Sequence, residues 1–370
     1  MAKLHPMPVC IVASLLALST LGNRLPPHKG LQVPQHTLDT LEAANGVDQG
    51  WPCLSSYCKK PKKKYEASQP AFAPRIQWND AGGYCGSMAI QNVAMGKGIW
   101  LSQQQVRDHA SPGGGHDNEI LATNVDQTLT NLKLTWEQFQ YKQLPIPQAN
   151  AYRTWLKKML VEGNSVFWMI MLQNGHYPVY PSLPYGFYSH VEPVFGVMSD
   201  HPLDDPQWYD DDYIVHGTDA STQTYYRRFD SLVADVNADN TSLCRGAYLG
   251  YPCIYKNYGF GFAIKGPLDN QTSSNVVNIA LSVGRTDEPD TRAGRKAVPL
   301  MGSLLATELT VGTTYEIWRW NSTDTAYDYA MKEAVVHHFT ATQSNYSWND
   351  PTSFLSSSAT YWRCVVSKNK

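Results

Sequence analysis

The stretch Gln77-Trp-Asn-Asp-Ala-Gly-Gly-Tyr-Cys85-Gly-Ser-Met-Ala-Ile-Gln91 decides how the chain is read. Gly82 and Gly83 permit a tight turn, and an apolar-periodic run follows at once. That run predicts a helix from Cys85 to Met95, stopped by Gly96 and Gly98. Cys85 then stands at a helix N-terminus, where unpaired backbone N–H groups and the helix dipole favour a thiolate. The thiolate is the nucleophilic form, and a structural cysteine gains nothing from such a position.

Outward from this helix the pattern mixes helix and strand over residues 72–265. Ser102-Gln-Gln-Gln105 forms a capping box that opens a helix running to about His109. Ala151 to Val161 is amphipathic and ends at Gly163. Ser165 to Leu172 is continuously apolar and reads as a buried strand, with Val191–Met198 and Tyr213–His216 as the next two. Helices followed by a sheet make an α+β arrangement. From about 272 to 370 the helical signal vanishes. Short apolar runs recur there: Val276–Leu281, Leu304–Leu309, Tyr315–Trp320, Val335–Phe339 and Tyr361–Val366. This spacing predicts an all-β sandwich. Leu309-Thr-Val-Gly-Thr-Thr-Tyr315 resembles the L-x-P-G-T-x-Y turn of fibronectin type III domains, with Val311 in place of the proline.

The nucleophile stretch itself resembles the papain-like cysteine peptidase superfamily. Gly83-Tyr-Cys85-Gly-Ser87 matches the G-x-C-G-S core around the papain nucleophile. The longer phrase from Trp78 to Ser87 is similar to the C39-like peptidase domain of secreted proteins, and the ending Tyr361-Trp-Arg-Cys-Val365 is shared with that group. Two departures stand out: the Cys and Trp that follow the nucleophile in papain are Met88 and Ala89 here. The papain-like glutamine that donates to the oxyanion lies six residues before the nucleophile, and that position holds Asn79. Its amide donates equally well from a shorter arm, with Gln77 as the fallback.

A thiol nucleophile needs an imidazole partner. The resemblance implies a histidine that opens a downstream strand and an orienting residue that ends the next one. His190 heads the run His190-Val-Glu-Pro-Val-Phe-Gly196, and Asp219 closes Tyr213-Ile-Val-His-Gly-Thr-Asp219. Antiparallel pairing of those strands brings the head of one beside the tail of the other. An aspartate there holds the imidazole tautomer and stabilises its charged form. His176 and His216 compete as bases, His216 lying mid-strand as a core or surface histidine. Asp200, Asp210, Asp211 and Asp212 compete as weaker orienting groups. Glu192 either tunes the site or forms a buried ion pair.

The N-terminus carries an export address. Lys3 and His5 precede an apolar run, Val9–Leu18, and small residues follow it. The run is about 10 residues, against the ~20 that span a bilayer. Residues 1–22 therefore read as a signal peptide in a secreted, extracellular protein with no transmembrane segment. Residues 23–71 read as a linker or short pro-segment, with Lys59, Lys60, Lys62, Lys63 and Lys64 as a solvated run or a processing site. Four sequons, at Asn240, Asn270, Asn321 and Asn345, offer N-glycan sites. Of seven cysteines, Cys10 leaves with the signal peptide. Cys53 with Cys58, and Cys244 with Cys253, read as local disulfides in an oxidising compartment. Cys364 reads as a buried thiol, which leaves Cys85 as the reactive one.

Composition narrows the functions further. The 370 residues are 42% hydrophobic and 17% charged, enough for packed cores, and the net charge of -2 gives no basic field for nucleic acid. The acidic loop Asp204–Asp212 lacks the spacing of a calcium loop and reads as solvated. Adjacent His337 and His338 point to opposite strand faces and make a poor metal pair. No cofactor or metal is implied. The expected function is a secreted thiol hydrolase acting on a peptide or protein substrate. Two rival functions fit the same sequence: an inactive papain-like scaffold whose β-sandwich binds a cell-surface ligand, or a non-peptidase amidase or acyltransferase.

Overall fold

The computed structural model describes residues 59–69, 74–75, 77, 84–110, 125–140, 143–145, 148–173, 187–218, 221–228, 261–268, 276–283, 299–321 and 334–367. In chain order its elements begin with β1 (Tyr65–Ser68), α1 (Cys85–Met95), β2 (Ile99–Leu101), α2 (Gln103–Ala110), α3 (Val125–Asn131), β3 (Leu134–Gln138) and α4 (Ala149–Val161). There follow β4 (Ser165–Gln173), β5 (Phe187–Ser199), β6 (Tyr213–Thr218), β7 (Ser221–Arg228) and β8 (Gly261–Pro267). The last part holds β9 (Val276–Val277), β10 (Ile279–Val283), β11 (Pro299–Leu300), β12 (Gly302–Ala306), β13 (Thr314–Trp320), β14 (Val335–Thr340), β15 (Tyr346–Asn349), β16 (Phe354–Leu355) and β17 (Ala359–Val366). The protein is thus mixed α/β, and every strand pairing among the described residues is antiparallel.

Helix α1 has the bounds its sequence predicts. All of its residues are buried, so it is a core helix with no solvent face. It stops where Gly98, at φ +70, accepts the left-handed turn; a Cβ there would meet the Ile279 side chain at 2.9 Å. Helix α2 opens as expected, with the Gln105 N–H donating to Ser102 Oγ at 3.0 Å. Helix α4 starts two residues ahead of the predicted Ala151.

Helices α1 and α4 pack against a seven-stranded sheet ordered β3-β8-β4-β5-β6-β7, with β1 added to the far end of β5. The first eight residues of β5 pair with β4, and its last residues pair with β1 and β6. Gly196 is where β1 crosses closest: a Cβ would come within 2.5 Å of the Ser68 side chain. The sheet therefore reaches back to Tyr65, ahead of the expected boundary at residue 72. Of the lysines before it, Lys59, Lys60, Lys62 and Lys64 are exposed, as a solvated run would be, and Lys63 is the exception. Lys63 is nearly buried and donates to both Asp200 and Asp211 at 2.8 Å, while Lys60 pairs with Glu66 at 2.7 Å.

In the C-terminal part, one sheet is β10-β12-β15 and another is β14-β13-β17-β2, with β9 paired to β17. Leu281, Leu304, Ile317, Phe339, Trp362 and Cys364 from both sheets share one core. The Thr310 N–H donates to Tyr315 Oη at 2.9 Å across the turn, the tie that sandwich folds know as a tyrosine corner. Gly312, at φ +85, completes that turn.

One strand crosses between the two parts. β2 follows directly from α1, yet it pairs with β17, Ile99 opposite Tyr361 and Leu101 opposite Ala359. Trp362 N–H donates to the Gly98 carbonyl at 2.7 Å, and Tyr361 Oη donates to that of Leu132 at 2.9 Å. Trp318, Trp320, Tyr361 and Val365 lie in the same cluster as Cys85, Ala89 and Val93. The expected parts, 72–265 and 272–370, thus share a sheet and a core.

Candidate active site

Cys85 is the first residue of α1 and is 6% exposed. Tyr84 precedes it at the N-cap and gives no side-chain cap hydrogen bond; the first helical bond runs from the Met88 N–H to the Tyr84 carbonyl at 2.8 Å. An α-helix leaves the N–H groups of its first turn without intrahelical acceptors, which favours an anion beside Cys85. The first turn carries no acidic residue to oppose one. Among the described cysteines, Cys85 and Cys364 are both free thiols. They differ in surroundings. Cys364 is fully buried between the two C-terminal sheets, and burial pushes its thiol up to about 12. Burial and the raised thiol both disfavour reaction at Cys364, whereas Cys85 heads a helix.

The helix also holds the segment that leads into it. Asn92, fully buried two turns along α1, donates to the Arg75 carbonyl at 3.0 Å and accepts the Arg75 N–H at 2.7 Å. That fixes the chain four residues before Asn79. Asn79 itself lies outside the described residues. Gln91 and Gln103 tie α1 to α2: Gln91 donates to the Leu101 carbonyl at 2.7 Å and Gln103 donates to Gln91 at 3.2 Å. Sequence reasoning misses these amides. Their signal is a polar residue inside an otherwise apolar helix.

His190 is the fourth residue of β5 and pairs in register with Ile170 of β4. The next residue, Val191, belongs to the buried cluster that holds Cys85, Ala89 and Phe167. Strand β5 runs antiparallel to β6, as the expected placement requires, with Val194 opposite His216. The head of β5 therefore lies on the side where β6 ends at Thr218, one residue before Asp219 in the sequence. Asp219 and the competing base His176 fall outside the described residues.

The remaining histidine and the competing carboxylates are engaged with other partners. His216 is fully buried, its Nδ1 3.4 Å from Glu192 Oε2 and 3.2 Å from the Gly217 carbonyl. Glu192 thus lies buried against His216, and His216 is a core histidine. Asp200 follows the last residue of β5, ten residues past His190, about 33 Å along an extended strand. Lys63 binds it and Asp211, and the Lys63 hydrogen bond holds both carboxyls below their usual range. Asp212 is buried beside Lys157 Nζ at 3.8 Å.

The acidic loop keeps Asp204 and Asp210 exposed, as its charge suggested, but it is anchored to the fold at Trp208 and Asp212. Trp208 is buried with its Nε1 donating to the Arg153 carbonyl, and Lys157 donates to that of Gln207 at 2.6 Å. Tyr209 stacks on His201 with ring centroids 3.5 Å apart. In the C-terminal sheets, His337 is half-buried, stacked on Trp348 and within 2.7 Å of Tyr346 Oη, while His338 is exposed near Glu316. Two sequon asparagines, Asn321 and Asn345, are exposed; Asn240 and Asn270 lie outside the described residues, as do the signal segment and Cys53, Cys58, Cys244 and Cys253. No helix among the described residues is long and apolar enough to cross a membrane. Comparison with models of known protein families and with curated proteins gives no match.

Proposed function

We propose that this protein is a secreted thiol hydrolase that cleaves peptide or amide bonds, with a papain-like α+β part followed by a fibronectin type III-like sandwich. One observation carries the reading. Cys85 heads a helix whose N-cap residue supplies no side-chain cap and whose first turn has no acidic residue, and that helix packs on the strand that bears His190.

In this reading the Cys85 thiolate attacks a carbonyl carbon, forming a C–S bond and pushing the carbonyl electron pair onto oxygen. The Asn79 amide and the Cys85 N–H hold that oxyanion, each donor lowering the barrier by about 3 kcal/mol. His190 gives its proton to the leaving amine as the C–N bond breaks, which leaves a thioester. His190 then takes a proton from water, the hydroxide adds, and the C–S bond breaks to free the acid and restore the thiolate. Asp219 keeps the imidazole in the tautomer this needs.

The test is the rate of Cys85 alkylation by iodoacetamide against pH, with the labelled peptide quantified by mass spectrometry. The wild-type protein should react well below pH 7, and His190→Ala should lose that acidic limb. Reaction only near the ordinary thiol range of ~8.5 would sink the assignment.

A further inference from the structure

A cation is buried against the residue that precedes the nucleophile. Arg107, in the last turn of α2, is 2% exposed, and its guanidinium carbon lies 4.0 Å from the centroid of the Tyr84 ring. Tyr84 is fully buried and is the residue directly before Cys85. Arginine is almost never fully buried without compensation. The face of an aromatic ring supplies part of it, and a planar guanidinium matches that face better than an ammonium does.

The surroundings explain why the arrangement holds. Helix α2 is fixed to α1 by the Gln103–Gln91 bond and by Val106 and Ala110, which share the Cys85 cluster. Arg107 therefore projects from a rigid base. On the other side, Gly82 and Gly83 precede Tyr84 in the sequence and bring no side chain to pack. The Tyr84 ring is a fully buried anchor directly adjacent to Cys85 in the chain.

We propose that Arg107 is a positioning residue for Cys85: it clamps the Tyr84 ring and so fixes the backbone that aims the thiol and the Cys85 N–H. This rests on the thiol hydrolase reading and adds to it a group outside the triad. Misaiming the helix terminus weakens its hold on the thiolate and changes that ionisation by about tenfold.

The experiment compares Cys85 alkylation from pH 4 to pH 10 in the full chain, by peptide mass, for wild type, Arg107→Met, Arg107→Lys, Tyr84→Phe and Tyr84→Leu, with melting temperatures alongside. Arg107→Met and Tyr84→Leu both break the clamp and should lose about tenfold in rate at pH 6 while keeping the wild-type rate at pH 9.5. Tyr84→Phe retains the ring and should follow wild type, and Arg107→Lys should fall between. A lower melting temperature with an unmoved pH profile would make Arg107 merely structural and overturn the proposal. If Arg107→Met does not fold, an Arg107→Lys profile identical to wild type, together with an unmoved Tyr84→Leu profile, overturns it equally. A wild type without an acidic limb refutes the hydrolase reading; a wild-type limb that His190→Ala abolishes but these variants leave in place refutes only the role of Arg107.

Discussion

The side-chain amide of Asn92 binds both backbone groups of Arg75, as the next strand of a ladder would. It also donates back to the Met88 carbonyl at 3.0 Å. One residue of α1 thereby fixes the entry of the chain into the turn that precedes the same helix. Asn92→Leu keeps the volume and strands the Arg75 N–H and carbonyl. The expected loss is about 2–3 kcal/mol, read as a fall in urea midpoint at unchanged slope. A loss under about 0.5 kcal/mol would mean that water serves Arg75 equally well.

Lys97 supplies a stability that depends on pH. It lies just past α1, 7% exposed, and its Nζ donates to the Gly163 carbonyl at 2.7 Å. Burial first, then the neighbouring Arg363 and Lys265, push its pKa down from 10.5 to about 7. Between those two values the unfolded chain holds a proton that the folded chain lacks. Stability therefore rises with pH through this window, by up to about 1.4 kcal/mol per unit, and flattens above it. Lys97→Met removes that dependence. The melting temperature of wild type minus that of the variant should become more positive from pH 7 to pH 9.5. A constant difference would refute the lowered value.

The shared sheet makes the two parts one unfolding unit. Removing residues 272–370 would uncover Ile99, Trp100 and Leu101, all fully buried, and unpair β2 from β17. The chain cut after residue 271 should be insoluble or molten, and the intact protein should melt in a single calorimetric transition. Two separated transitions, or a soluble truncated chain with sharp melting, would contradict this.

Native Cys364 should resist alkylation. Its thiol lies beyond solvent and is pushed up to about 12, so at pH 8 it stays protonated and covered. Peptide mapping after an hour with iodoacetamide should find Cys364 unlabelled in the native chain and fully labelled in urea. Native labelling at a rate near that of Cys85 would show that the C-terminal core opens readily.

Local signals are legible in the sequence, and long-range ones are not. The bounds of α1 follow from two glycines before it and two after it, and the five C-terminal apolar runs all form strands. Strand β1 gives no sign of itself because Tyr65-Glu-Ala-Ser68 has no apolar alternation; its partner, Gly196–Ser199, is about 130 residues away. Strand β2 is three residues long, too short for a period to emerge, and its partner comes from the other end of the chain. The aspartates of the 204–212 loop suggest solvation, since its anchors, Trp208 and Lys157, declare themselves only through contacts. At the candidate site, Cys85 is legible because helix-terminus chemistry is local. The clamp of Arg107 on Tyr84 is not, since the two lie more than twenty positions apart in the sequence.

The pairing of Ile99 with Tyr361 has a consequence in time. A ribosome adds ~5–20 residues per second, so about 260 residues of synthesis separate the two partners by roughly 13–50 s. Throughout that interval the C-terminal end of the cysteine-bearing helix waits, uncovered, for the last strand of the chain. A ribosome that stops before β17 leaves that helix exposed, and only a chain carried past Val366 closes over it.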